Sequence, residues 1–167
     1  ERQERRFPKG IDLQVRCVCE PCNNGWMSRM EAEVKPIIES LQAHSKLTLN
    51  QDDQFSLAKW ATKTAIIARY FGSEHEIPLL FREWFYEHQE VPPNTFVWVG
   101  TYDDALAASL QTKDIVFHDL DGQAFSFPHS QFVAFTTGCL LVCVITTFLS
   151  NRVSVRNRGL IREHLQI

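Results

Sequence analysis

Glycine and proline are scarce in this 167-residue chain, at seven each, and methionine occurs only twice. With 12 Phe and 4 Trp present, that scarcity excludes a disordered, collagenous or linker-dominated protein. Cysteine is too sparse for a disulfide scaffold. The five residues, an odd number, read better as reduced thiols and point to a cytoplasmic setting. No basic, apolar leader ending in small residues opens the chain, so nothing in the sequence points to secretion. Charge is missing altogether from residues 122–151. Their 131–149 part is long enough to raise a membrane span, but Thr136, Thr137, Gly138, Thr146 and Thr147 break up its hydrophobicity. Because β-branched and aromatic residues dominate there, two buried strands, or one long strand bent at Gly138, fit better.

Positive charge is lacking where a protein that coats duplex DNA would need it. The net charge of −3 divides into +2 over residues 1–30, −8 over 31–150 and +3 over 151–167. Binding over the whole surface is therefore excluded. Contact with phosphates would fall to the ends, mainly Arg2, Arg5, Arg6, Lys9, Arg16 and Arg29. The competing reading is that these are ordinary solvated charges.

What is there is a helical half followed by a strand-rich half. The length suits one domain, or one with a small appendage. Residues 11–18 alternate apolar and polar and read as a short strand. After Cys22, Trp26, Met30, Val34, Ile37 and Leu41 recur at helical spacing, with Asn23 or Asn24 able to cap the first turn. Pro36 predicts a kink or a restart, because it lacks an N–H and clashes with the carbonyl of Ala32. A second helix should run from the N-cap Asn50 to about Phe71, stopped at Gly72. Its small-residue face, Phe55, Ala58, Ala61, Ala65 and Ala68, suits close packing against another helix. A third helix should start at Pro78 and end near Gln89. From Asn94 the period becomes two, with strands expected over 95–102, 114–118 and 124–127. The fold class is α+β, with helices over 50–90 and an antiparallel sheet over 94–150.

The chemistry is concentrated in Cys17-Val18-Cys19-Glu20-Pro21-Cys22-Asn23-Asn24-Gly25-Trp26-Met27. Cys19 and Cys22 form a C-x₂-C knuckle whose thiolates can reach one tetrahedral Zn²⁺ at about 2.3 Å. A structural zinc normally takes four ligands, and Cys17 is a possible third; the alternative is that all three thiols are simply buried. His118 and His129 lie near Asp119 and Asp121 and read as surface or turn residues. Cys139 and Cys143, four apart in a strand pattern, read as buried thiols on one face. The aromatic run 81–86 could stack nucleobases, but helical packing is its commoner use.

A C-x₂-C-Asn entering a helix at once resembles the second half of the HNH endonuclease module, a zinc-braced, treble-clef-like ββα-metal unit. The resemblance is to bacterial and phage HNH-like proteins with a Cys-x-x-Cys-Asn-Asn-Gly-Trp-Met signature, here Cys19 to Met27 followed by Glu31. Residues 57–65 and 97–100 look like later landmarks of the same group. The resemblance implies that Cys19 and Cys22 are structural zinc ligands and that Asn23 is the last residue of the catalytic triad, helping to hold Mg²⁺ or Mn²⁺. It further implies that Arg16, Arg29 and Lys35 lie near DNA phosphates. The family's first zinc knuckle and its catalytic His would precede this segment, and no residue in 1–18 can play either part. That His activates water, so phosphodiester hydrolysis without it lacks a general base.

The expectation is thus a remnant of a treble clef over residues 1–45 and an α+β accessory domain over 46–167. Its function would be part of a metal-dependent DNA endonuclease, inactive without upstream residues. The alternatives are a non-catalytic zinc-knuckle module binding nucleic acid or protein, and an interaction domain without metal.

Overall fold

The computed structural model describes residues 17–43, 48–71, 79–101, 110–114, 117–118, 124–125 and 130–147. Its first helical run begins as α1, Glu20–Cys22, passes through a π-helical turn at Asn23–Met27 and continues as α2, Ser28–Ala43. The expected Asn cap is not used. The helix starts earlier, with Cys19 in extended backbone at the cap and no side chain capping it. Pro21 falls in the first turn, where its missing N–H leaves no bond unmade, and the Cys19 carbonyl already accepts from the Asn23 N–H at 3.0 Å. Of the strand expected over 11–18, Cys17 and Val18 are irregular and the rest lies outside the described residues.

Of the kink or restart expected at Pro36, the restart does not occur. α2 runs through Pro36 as one helix, and the departure from helical backbone sits at Gly25 (φ −97°, ψ −111°). Pro36 and Ala32 are exposed, so water can take the carbonyl that the proline leaves unbonded. Met30 and Val34, both buried, hold the turns before it.

The second helix, α3, spans Gln51–Ala68 and ends in a 3₁₀ turn at Arg69–Phe71. Asn50 caps it as expected, its Oδ1 accepting from the Asp53 N–H at 2.8 Å. The third, α4, spans Leu79–His88. Pro78 and Gly72 lie outside the described residues.

Four strands form an antiparallel sheet in the order β1-β6-β5-β2, with β1 at Thr95–Thr101, β2 at Leu110–Asp114, β5 at Gln131–Thr137 and β6 at Leu140–Thr146. A separate two-residue ladder pairs β3, Phe117–His118, with β4, Ala124–Phe125. Residues 131–146 of the charge-free stretch therefore form the central β5–β6 hairpin. Among the described residues, no helix is long and apolar enough to cross a membrane. The strand expected over 114–118 is replaced by β2, which ends at Asp114, and by β3. β2, Leu-Gln-Thr-Lys-Asp, lies at the end of the strand order, where a polar sequence is tolerated.

The small-residue face of α3 meets this sheet rather than another helix. Ala61, Ala65 and Ala68 pack with Val133, Phe135, Val142 and Val144, and Trp60 stands edge-on to Phe135 at 5.6 Å. Alanine lets the helix approach a sheet already crowded with branched side chains. Phe55 takes no part in that face and is 55% exposed.

The β5–β6 turn imposes a specific demand. Gly138 has φ +57°, a left-handed conformation that costs an L-residue roughly 1 kcal/mol or more. A Cβ there would also run into the Gln42 side chain, 2.9 Å from its Cδ, whose Nε2 donates to the Thr137 carbonyl at 3.1 Å. Gly138→Ala should therefore cost about 1–2 kcal/mol in chemical denaturation.

α2 and α3 pack together, and one ion pair marks the contact. Lys63 of α3 is only 4% exposed, and its ammonium pairs with Glu31 of α2. Removing the carboxylate would strand a buried cation. Glu31→Ala should cost about 1–3 kcal/mol, below the usual loss for a broken buried pair because Glu31 itself is solvated. The paired change with Lys63→Met should recover much of it. The proposed division at 45/46 falls within residues 44–47, outside the described residues, while α2 on one side of it packs against α3 on the other.

Candidate functional site

Two features place Cys19 and Cys22 together. Three residues along a helical turn return the chain to nearly the same side, and Pro21 fixes that turn. Their sulfurs lie 2.9 Å apart. Cys19 is exposed and Cys22 is half-buried beside it. The hydrogen bond between them lowers the Cys19 thiol from its ordinary value, since Cys22 can donate to the thiolate. The same bond, with burial behind it, raises Cys22.

Two thiolates on one tetrahedral zinc at about 2.3 Å sit roughly 3.8 Å apart. The pair needs to open by only about 1 Å to match that spacing, so the donor set fits two ligands of a zinc site. It does not supply four. Among the described residues no three His, Cys, Asp or Glu side chains converge on one point. Cys17 is half-buried, and burial raises its thiol.

Asn23 follows directly on the same helical run. It is exposed, and its Nδ2 donates to Asn24 Oδ1 at 3.4 Å. Arg29 is exposed on α2, as is Lys35, which faces Glu39 at 3.9 Å. At 100° per residue, Arg29 and Lys35 point about 120° apart around the helix, so they do not make one phosphate-facing row. Arg16 lies outside the described residues, as does His129; nothing is described of the His118 side chain.

Behind the knuckle lies a cavity of about 280 Å³, with Cys17, Cys19 and Cys22 on one wall and Ile66, Tyr70 and Arg82 among the residues opposite. Trp26, at the cavity, leans on Phe85 with ring centroids 5.9 Å apart. Arg82 Nη1 donates to the Tyr70 hydroxyl at 2.6 Å. The aromatic run does its expected packing through Phe81 and Phe85, which are buried, while Tyr86 is exposed at the cavity.

The sequence did not single out Lys63 as part of this wall. Its signal was a cation amid Trp60, Ala61, Ala65 and Ile66, a setting in which a buried lysine needs a partner acid. Cys139 and Cys143 do not share a strand face. Cys139 sits in the hairpin turn, its Sγ donating to the Gln42 carbonyl at 3.8 Å, whereas Cys143 is buried in β6 and its thiol is raised by that burial.

No family model, curated protein or solved structure matches the chain.

Proposed function

We propose that this chain carries the second half of an HNH-like, zinc-braced DNA endonuclease, with Cys19 and Cys22 as one pair of structural zinc ligands. The observation that supports this reading is their juxtaposition, sulfurs 2.9 Å apart on the first turn of a helix that continues at once through the exposed Asn23. The other two ligands come from outside residues 17–43. Cys19 and Cys22 fix where the helix begins, and Asn23, one residue on, presents its side chain to solvent beside the substrate. A divalent ion held with the help of Asn23 would neutralise charge developing on the phosphodiester. The general base is a histidine that residues 17–43 do not contain.

The test is plasmid nicking in Mg²⁺ or Mn²⁺. Residues 1–167 alone should not nick, and a longer form that supplies the first zinc knuckle and the histidine should. Nicking by the 167 residues alone, abolished by Asn23→Ala, would overturn the assignment of the base.

One observation favours a second reading, a non-catalytic zinc-knuckle module that binds nucleic acid or protein. Arg29 and Lys35 do not share a face, and Lys35 already faces an acid. In that case the longer form holds zinc and leaves DNA uncut.

A further inference from the structure

The same two sulfurs have a second chemistry. At 2.9 Å they lie between the roughly 3.8 Å of two thiolates sharing a zinc and the 2.05 Å of a disulfide. Residues three apart on a helical turn have Cα atoms about 5 Å apart, inside the 4.4–6.8 Å range that a disulfide spans. Neither end state therefore asks the backbone to move far. Access differs along the chain. Cys19 is exposed, Cys22 is next to it, Cys17 and Cys139 are half-buried and Cys143 is buried.

We propose that Cys19 and Cys22 are a redox modification site, oxidised to an intramolecular disulfide by low-molecular-weight disulfides of the glutathione class, in competition with zinc. The exposed Cys19 thiolate attacks one sulfur of the small disulfide, whose S–S bond breaks and releases one thiol that takes a proton from water. The product is a mixed disulfide on Cys19. Cys22 then loses its proton and attacks Cys19 Sγ, forming the Cys19–Cys22 bond and expelling the second small thiol. Two protein thiols are oxidised, and one small disulfide is reduced to two thiols. A disulfide sulfur has no thiolate charge to offer a metal, so oxidation removes both donors at once. The competition rests on the zinc reading above; the disulfide itself does not.

The experiment uses the metal-free chain with excess glutathione disulfide at neutral pH, then alkylation and mass analysis of the tryptic peptide 17–29. The expected product is a Cys19–Cys22 bond, with the peptide two hydrogens lighter and Cys17 alkylated. Cys22→Ser should instead stop at the glutathione adduct on Cys19. The proposal is overturned if the wild-type peptide keeps both thiols, accumulates the adduct, or bonds through Cys17. A parallel arm starts from a zinc-loaded longer form that supplies the other two ligands, its metal content measured first, and oxidation should be slowed by about tenfold or more. If the disulfide forms equally fast with zinc present, the zinc reading fails while the modification site stands.

Discussion

Phe135→Ala is expected to lower stability by about 3–5 kcal/mol, the usual cost of removing a buried aromatic side chain. Phe135 is 6% exposed, meets Trp60 edge-on and pairs across the hairpin with Val142, which is fully buried. The deletion leaves a void where α3 lies on the sheet, and the rigid strand pairing on both sides of β5 cannot close it. For a chain of this size the melting temperature should fall by roughly 10 °C. Phe55→Ala is the control. That ring is more than half exposed at the start of α3, and its loss should stay within about 0.5 kcal/mol. Equal losses from the two variants would mean that the alanine face of α3 does not lie on the sheet.

The second large effect separates structure from chemistry in the knuckle. On the proposed reading, in a longer form that carries the missing histidine, Asn23→Ala should cut plasmid nicking on the order of 100-fold or more, because an oxygen proposed to hold the metal is lost. Zinc content should not change, since Asn23 is not among the sulfur donors. Cys19→Ser should lower zinc content and nicking together. If Asn23→Ala lowered zinc content as well, the division of labour between the two adjacent residues would be wrong.

Where the sequence was legible, a local signal and the tertiary outcome agreed. Asn50 caps α3 because its short side chain reaches the Asp53 N–H, a purely local bond. The strand character of β5 and β6 was legible because strands with neighbours on both sides shed charge, whereas Gly138, which the sequence offered only as a bend in one long strand, is the left-handed turn between two. β2 was hidden because an edge strand keeps Gln111 and Lys113 and so resembles a loop. Pro36 does not end α2, and the carbonyl it leaves unbonded lies on an exposed part of the helix where water can take it. The alanine face of α3 pointed to close packing without saying against what, since helix and sheet both reward small residues.

The site divides in the same way. Two thiols at three-residue spacing are a local property, and the structure brings them to 2.9 Å. The cavity behind them is not local. It is assembled from the knuckle, from α3 through Lys63 and Ile66, and from α4 through Arg82 and Phe85. No spacing within any one of those segments announces the others. Lys63 shows the consequence, because its partner Glu31 is 32 residues away on α2.

The central proposal is that Cys19 and Cys22 are zinc ligands, and zinc K-edge X-ray absorption on a zinc-loaded form that supplies all four ligands tests it most directly. The account predicts a four-coordinate site with Zn–S distances of about 2.3 Å and loss of one sulfur from the shell in Cys19→Ser and again in Cys22→Ser. A zinc shell of nitrogen and oxygen alone, or a sulfur count that neither substitution changes, would contradict it.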